Sequence, residues 1–183
     1  MLKNELSAFE KGFTMVELVI GIAIVAIVMA IGMPSYGTWI LNSKLRGAAE
    51  SIQSGLQVAR AEAVRRNAAV KFTLGSGSSW TVGCVTVSAT CPAVLQSRAT
   101  GDGSSAAVTV NAVDGTPITF DSFGRMTAPT PSAGTATQIN VDIDPAVLPA
   151  NKTRDLRINI GVSGNIKMCD PDPSVVSPDP RAC

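Results

Sequence analysis

The sequence predicts an α+β chain in which a long N-terminal helix, its hydrophobic half transmembrane, packs on an antiparallel β-sheet head. Three observations carry this prediction: an uncharged apolar run near the N-terminus, an apolar stripe at helical spacing behind it, and a series of short β-branched segments parted by glycine turns. Between residues 18 and 43 there is no charged side chain, and residues 18–33 are apolar throughout. With Phe13, Met15 and Val16 in front, the run is about 20 residues long, enough for a helix to cross a bilayer.

The helical pattern continues past this run. Leu45, Ala48, Ala49, Ile52, Leu56, Ala59 and Ala63 recur at steps of three and four and make one apolar face, with Asn67 as the stop signal. A single helix over residues 13–67 would be about 80 Å long. Gly32, Pro34 and Gly37 predict a kink close behind the apolar run. After Asn67 the texture predicts strands over 70–74, 80–87, 107–112, 117–121, 137–143 and 156–162. Turn signals at Gly75-Ser76-Gly77, Asp102-Gly103, Asp114-Gly115 and Ser163-Gly164 separate them. Residues 104–113 and 116–120, joined across Asp114-Gly115, read as the clearest hairpin.

Composition narrows the function. Fifteen Lys and Arg balance 14 Asp and Glu to a net charge of +1, so no global field favours nucleic acid or an anionic surface. The 183 residues include no histidine, which removes the commonest general base and transition-metal ligand. No serine or cysteine has an activating partner in a recognisable motif. The glycine-rich stretch from Gly101 to Ser105 lacks the Gly-Lys-Ser/Thr of a phosphate loop. The chain reads as neither an enzyme nor a cofactor or metal protein.

Cys84, Cys91, Cys169 and Cys183 form no C-x-x-C pair. An even count behind an export-type segment points to disulfides. Three connectivities are open from sequence; chain proximity favours Cys84–Cys91 and Cys169–Cys183. The second would close a loop of about 15 residues, worth about 3 kcal/mol in the chain-entropy account, and tie down a Pro-rich tail.

Glu17 sets the N-terminus apart from an ordinary signal peptide or anchor. A carboxylate within a membrane segment costs on the order of 3 kcal/mol and usually serves a function. Glu17 follows Phe13 by four residues, so the two share a helical face. A cut between Gly12 and Phe13 would create a cationic amine within reach of such a carboxylate, on the same or a neighbouring subunit. Lys and Arg near the run are balanced, with Lys3 and Lys11 before it and Lys44 and Arg46 after it, so charge alone does not set orientation.

Gly12-Phe13-Thr14-Met15-Val16-Glu17 with its apolar run resembles the class III signal of type IV pilins and type II secretion pseudopilins. The resemblance implies cleavage after Gly12 by a prepilin peptidase, N-methylation of Phe13, a role for Glu17 in assembly, and a pilin-like fold with its helix kink near Pro34. Residues 56–67, the turn Phe120-Asp121-Ser122-Phe123-Gly124-Arg125, and residues 157–169 resemble the GspH/FimT family of minor pilins and pseudopilins. The implied division is a leader at 1–12, a transmembrane helix at 13–33, the amphipathic outer half of the helix at 34–67, a β head at 68–169 and a disulfide-closed tail at 170–183.

The implied function is that of a minor type IV pilin that primes or caps a pilus for surface attachment and twitching motility, with a type II secretion minor pseudopilin for protein export, or a DNA-binding minor pilin in natural transformation, as the alternatives. Its partners would be other minor and major pilins, the prepilin peptidase, an inner-membrane assembly platform and membrane lipid. Its place would be the inner membrane with the head in the periplasm, then the pilus or pseudopilus. Two further readings concern sites. Asp142 and Asp144 are spaced to share a strand face and raise a calcium reading, weaker than that of a strand end before Pro145. Some relatives bind DNA through a C-terminal G-R-x-R-type loop. Gly164-Asn165-Ile166-Lys167 stands there with both arginines replaced, which leaves Lys152, Arg154, Arg157 and Lys167 as a minor DNA-contact reading.

Overall fold

The computed structural model describes residues 12–102, 104–131 and 136–183, without the side chains of 31–34. The expected leader, apart from Gly12, therefore lies outside the described residues, as do the Gly32 and Pro34 side chains of the expected kink and Gly103 of one expected turn. The chain divides into two units, one ending at Gly37 and the other spanning Thr38–Cys183.

Helix α1 (Met15–Arg66) opens the chain. Thr14 caps it: its Oγ1 accepts the Glu17 amide at 3.2 Å and its carbonyl accepts that of Leu18 at 3.2 Å. In the N-terminal unit apolar side chains stand exposed on all sides, from Phe13 at 83% through Ile20 and Val25 to Met29. A helix apolar all round requires an apolar surrounding. Neither Met15–Ala30 nor Ser35–Arg66 is by itself long and apolar enough to cross a membrane; by length and composition the two together are. The first of them rises only about 24 Å against about 30 Å of hydrocarbon, so the span expected over 13–33 extends past the described side chains.

In the second unit α1 buries the stripe its spacing predicts. Leu45, Ala48, Ala49, Ile52, Leu56, Ala59 and Ala63 are all at most 1% exposed. The helix ends in a Schellman cap: Asn67 takes φ +49°, its amide reaches the Val64 carbonyl, and that of Ala68 reaches Ala63.

The head contains two sheets rather than one. Strands β1 (Val70–Leu74), β2 (Trp80–Cys84), β3 (Gln96–Arg98), β5 (Ile118–Phe120) and β6 (Met126–Ala128) form a sheet in the order β3-β2-β1-β5-β6. Strands β4 (Val108–Ala112), β7 (Ala136–Ile143), β8 (Leu156–Gly161) and β9 (Ile166–Cys169) form another in the order β4-β7-β8-β9. Every neighbouring pair with a resolved register is antiparallel.

The hairpin expected across Asp114-Gly115 does not form. β4 pairs with β7 and β5 with β1, so that turn passes the chain from one sheet to the other. Long-range register wins because β7 is eight residues of strict alternation, burying Thr137, Ile139, Val141 and Ile143, and it offers β4 a full ladder. β2 also stops at Cys84, three residues short of the expected end, where the chain enters the loop closed by Cys91.

Both sheets bury one face against α1. Phe72, Trp80, Val82, Ile118 and Phe120 come from the first, and Ile139, Val141, Ile143, Ile158 and Ile160 from the second. Gly55 permits the closest approach, since a Cβ there would lie 2.8 Å from the Phe72 ring and 2.9 Å from the Trp80 indole. The Trp80 indole donates to Ser51 Oγ at 2.9 Å within the core. At the far end, Arg60 Nε donates to the Gly124 carbonyl at 3.1 Å, and Met126 donates its amide to Val162 at 3.0 Å, linking the two sheets. Gly164, at φ +83°, fits against Gly124 where any Cβ would strike the Gly124 carbonyl.

Two substitutions test this packing. Gly164→Ala combines left-handed backbone with that clash and should cost about 3 kcal/mol or more. Ser51→Ala leaves the buried indole N–H unpaired and should cost about 1–2 kcal/mol. Denaturant unfolding of the full chain in neutral detergent, followed by Trp fluorescence, measures both.

Candidate functional site

The N-terminal feature is built on one helical face. Phe13, Glu17, Gly21 and Val25, four residues apart, line a shallow apolar groove with Leu18 and Ile22. Glu17 carries the only carboxylate in that lining, and Gly12 and Phe13 precede the first helical turn. The Thr14–Glu17 spacing is also that of a capping box, so Glu17 sits where an acid favours the helix start. The sequence carries this signal in Thr14-Met15-Val16-Glu17.

The cysteines pair as Cys84–Cys91 and Cys169–Cys183. The first closes the loop behind β2, and Arg66 at the helix end donates to the Thr90 carbonyl inside it. The second holds the C-terminal tail along β9. There Asp170 donates its amide to the Arg181 carbonyl at 2.7 Å, and Lys167 Nζ donates to the Ala182 carbonyl at 2.9 Å. The tail is a chain of carboxylate turns: Asp170 accepts the Asp172 amide, Asp172 that of Ser174, and Asp179 that of Arg181. Hydrogen bonds from Ser174 hold the Asp172 carboxyl below its usual range, and Arg181 does the same for Asp179.

Between tail and sheet lies a cavity of about 690 Å³ lined by Asp142, Asp155, Asp170 and Asp172 with Arg154, Arg157 and Arg181. Asp142 and Asp155 face each other one step past Val141 and Leu156, the last pair of the β7–β8 ladder. Burial and a hydrogen bond with Asp142 push the Asp155 carboxyl up to about 6, against a smaller opposing bond with Thr153. Its Oδ1 is buried without a partner. Sequence could not reveal this pair, because the two acids are 13 residues apart and meet only through the hairpin register.

The residues of the calcium and DNA readings are placed as follows. Asp144 lies just past β7, and its Oδ1 accepts the Ala146 amide at 2.9 Å, so it serves as a turn acceptor. Among the described residues no group of three or more acidic or thiol side chains is placed to hold a metal ion. Arg154 and Arg157 line the cavity among four carboxylates, and Arg157 Nε donates to Asn140 Oδ1 at 2.8 Å. Lys167 is engaged with the tail, while Lys152 is exposed and accepts an Asn42 Nδ2 bond at its carbonyl. The geometry mixes these cations with acids and does not gather the four into one basic face.

These features make a capped apolar helix followed by an antiparallel head. Residues 48–164 match the family described as type II transport protein GspH, and residues 8–33 match the prokaryotic N-terminal methylation motif. The chain belongs to this GspH family, with the methylation motif of type IV pilin-like proteins at its N-terminus. Among solved structures, type IV minor pilin FimU of Pseudomonas aeruginosa aligns at 22% identity and a TM-score of 0.50, over 70% of this chain and 92% of that one. The minor pseudopilin EpsH from the type 2 secretion system of Vibrio cholerae aligns at 12% identity and 0.48, over 70% and 98%. No curated protein matches by sequence. The α+β pilin fold and the family read from the sequence are thereby borne out.

The Asp142–Asp155 pair makes a pH prediction. A carboxyl raised in the folded state binds its proton more tightly there than in the unfolded chain. Its stabilising effect is therefore full below about pH 4 and is lost as pH rises through about 6. Discounted for solvent in the open cavity, the effect is about 1 kcal/mol. Thermal melts of wild type and Asp155→Asn should diverge between these limits, with the wild type losing more stability as pH rises.

Proposed function

We propose that this chain is a minor type IV pilin, a non-enzymatic structural subunit that primes assembly of a pilus or caps it. The observation that carries the proposal is the match of residues 8–33, which include Gly12, Phe13 and Glu17, to the methylation motif, continuous with an apolar, outward-facing helix. In this reading a prepilin peptidase cuts after Gly12 and methylates Phe13. The segment 13–33 holds the subunit in the inner membrane with its head in the periplasm, and later packs among the helices of other pilins. The new amine of one subunit then neutralises the Glu17 carboxylate of another, which sets register in a medium where an unpaired charge is costly. In this reading Gly32 and Pro34 would kink the helix, residues 34–67 carry the head, and the tail 170–183 is held by its disulfide.

A second reading, a minor pseudopilin of type II secretion, is favoured by the description of the matched family itself. The Pro- and Asp-rich tail closed by Cys169–Cys183 supports the pilus reading. Deleting the subunit discriminates between the two: loss of surface pili and twitching fits the first, and retention of exoproteins in the periplasm fits the second. Salt-sensitive retention of DNA by the purified protein would instead favour uptake of DNA.

Intact mass and N-terminal sequencing of protein from its native membrane test the central step. The expected mature chain begins at methylated Phe13. A start at Met1, or after Gly32, would overturn the proposal. Glu17→Gln should be cleaved normally yet enter sheared filaments at a small fraction of the wild-type amount.

A further inference from the structure

A second cavity, of about 320 Å³, lies at the start of the head. Arg46 of α1, Arg154 of the loop before β8 and Arg181 of the tail line it, with Leu156, Met168 and Pro180 as apolar walls. Asn42 organises this corner: its Oδ1 accepts the Arg154 amide at 2.9 Å and its Nδ2 donates to the Lys152 carbonyl at 3.0 Å, which fixes the loop on the helix. The Cys169–Cys183 bond and the Asp170–Arg181 backbone bond fix the tail on the other side. Three cations from three separated segments are thus presented to one apolar-walled hollow, whose lining includes one carboxylate, Asp170.

Two of these arginines hold surface ion pairs. Arg46 meets Glu50 at 3.0 Å and Arg181 meets Asp179 at 2.8 Å, each arginine about two-thirds exposed or more. Exposed pairs of this kind contribute at most about 1 kcal/mol and exchange readily for a stronger anion. Arg154 has no carboxylate within ion-pair distance among the described residues. A phosphate with an attached acyl glycerol matches the hollow in both respects, with oxygens for the guanidinium groups and carbon for the walls.

The order of residues along the chain favours a lipid over a protein carboxylate. The apolar run ends at Met33; Tyr36 and Trp39 follow, both exposed, then Asn42, Lys44 and Arg46. Hydrocarbon, then aromatic ring, then cation is the sequence of layers at a bilayer surface. Arg46 lies about 10 Å of helix rise beyond Trp39, and helical side chains lean back toward the N-terminus, toward that ring.

We propose that this hollow is a binding site for the phosphate headgroup of an anionic phospholipid, which seats the head on the membrane before the subunit is drawn into a filament. The proposal rests on the reading of residues 13–33 as a bilayer anchor. Its test uses the full chain in a neutral maltoside detergent, titrated calorimetrically with dihexanoyl phosphatidylglycerol, dihexanoyl phosphatidylcholine or inorganic phosphate. Phosphatidylglycerol should bind more tightly than phosphatidylcholine. Arg154→Gln should weaken it about fivefold, and Arg46→Gln together with Arg154→Gln about 25-fold, while Arg125→Gln, in the turn after β5, should leave it unchanged. Equal binding of the two lipids, or no effect of Arg154→Gln, overturns the proposal. Inorganic phosphate binding as tightly as phosphatidylglycerol overturns the lipid assignment. Flotation of the full chain on phosphatidylcholine vesicles reads the anchor separately. If flotation is kept while Arg154→Gln has no effect, this site fails and the anchor stands; if flotation is lost while selective phosphatidylglycerol binding persists, the anchor reading fails and the site stands.

Discussion

Leu45, Ile52 and Leu56 fill the space between α1 and the sheets, while Ala48, Ala49, Gly55, Ala59 and Ala63 keep the rest of that face thin. The thin positions are what let two sheets reach one helix. At Gly55 the Phe72 and Trp80 rings, 5.7 Å apart between centroids, occupy volume that a side chain would otherwise claim. Interiors pack at crystal density, so even a methyl group at such a point displaces its neighbours. The buried Ser51–Trp80 bond follows from the same closeness, because the indole can lie on the helix only if its N–H finds an acceptor there.

The helical part of the fold was legible because its signal is local. All seven stripe residues expected from their spacing are buried, and Asn67 ends the helix as expected, through the left-handed conformation that Asn tolerates. The strands were legible as segments but not as partners. Asp114-Gly115 carries the residues of a tight turn, and Gly115 does take φ +88°, yet the turn joins two sheets. Turn chemistry describes four residues, whereas strand pairing is decided by the longest ladder on offer, here β7. The division into two sheets was not readable for the same reason.

The sites show the same boundary. Phe13 and Glu17 fall on one groove because a spacing of four on a helix needs no tertiary knowledge. The facing pair Asp142 and Asp155 depends on the β7–β8 register, and the hollow of Arg46, Arg154 and Arg181 on three segments brought together by Asn42 and a disulfide. The tail is an intermediate case. Its Asp-Pro repeats suggest disorder by composition, but each Asp accepts an amide two residues on, across an intervening proline that lacks one in all three cases. Proline thereby removes the competing donor and helps set the turn. A segment that looks unstructured becomes a short series of turns once its end is fastened.

The junction of Arg60, Gly124 and Gly164 bears on how the head would carry mechanical force. A pull directed along α1 reaches the sheets as shear across the whole buried stripe, where Leu45 to Ala63 resist together rather than one after another. At the end of that stripe the Arg60–Gly124 bond and the Met126–Val162 bond connect helix, first sheet and second sheet in series. Load arriving on the helix is therefore shared by both sheets, and neither can be peeled away alone while that three-way splice holds.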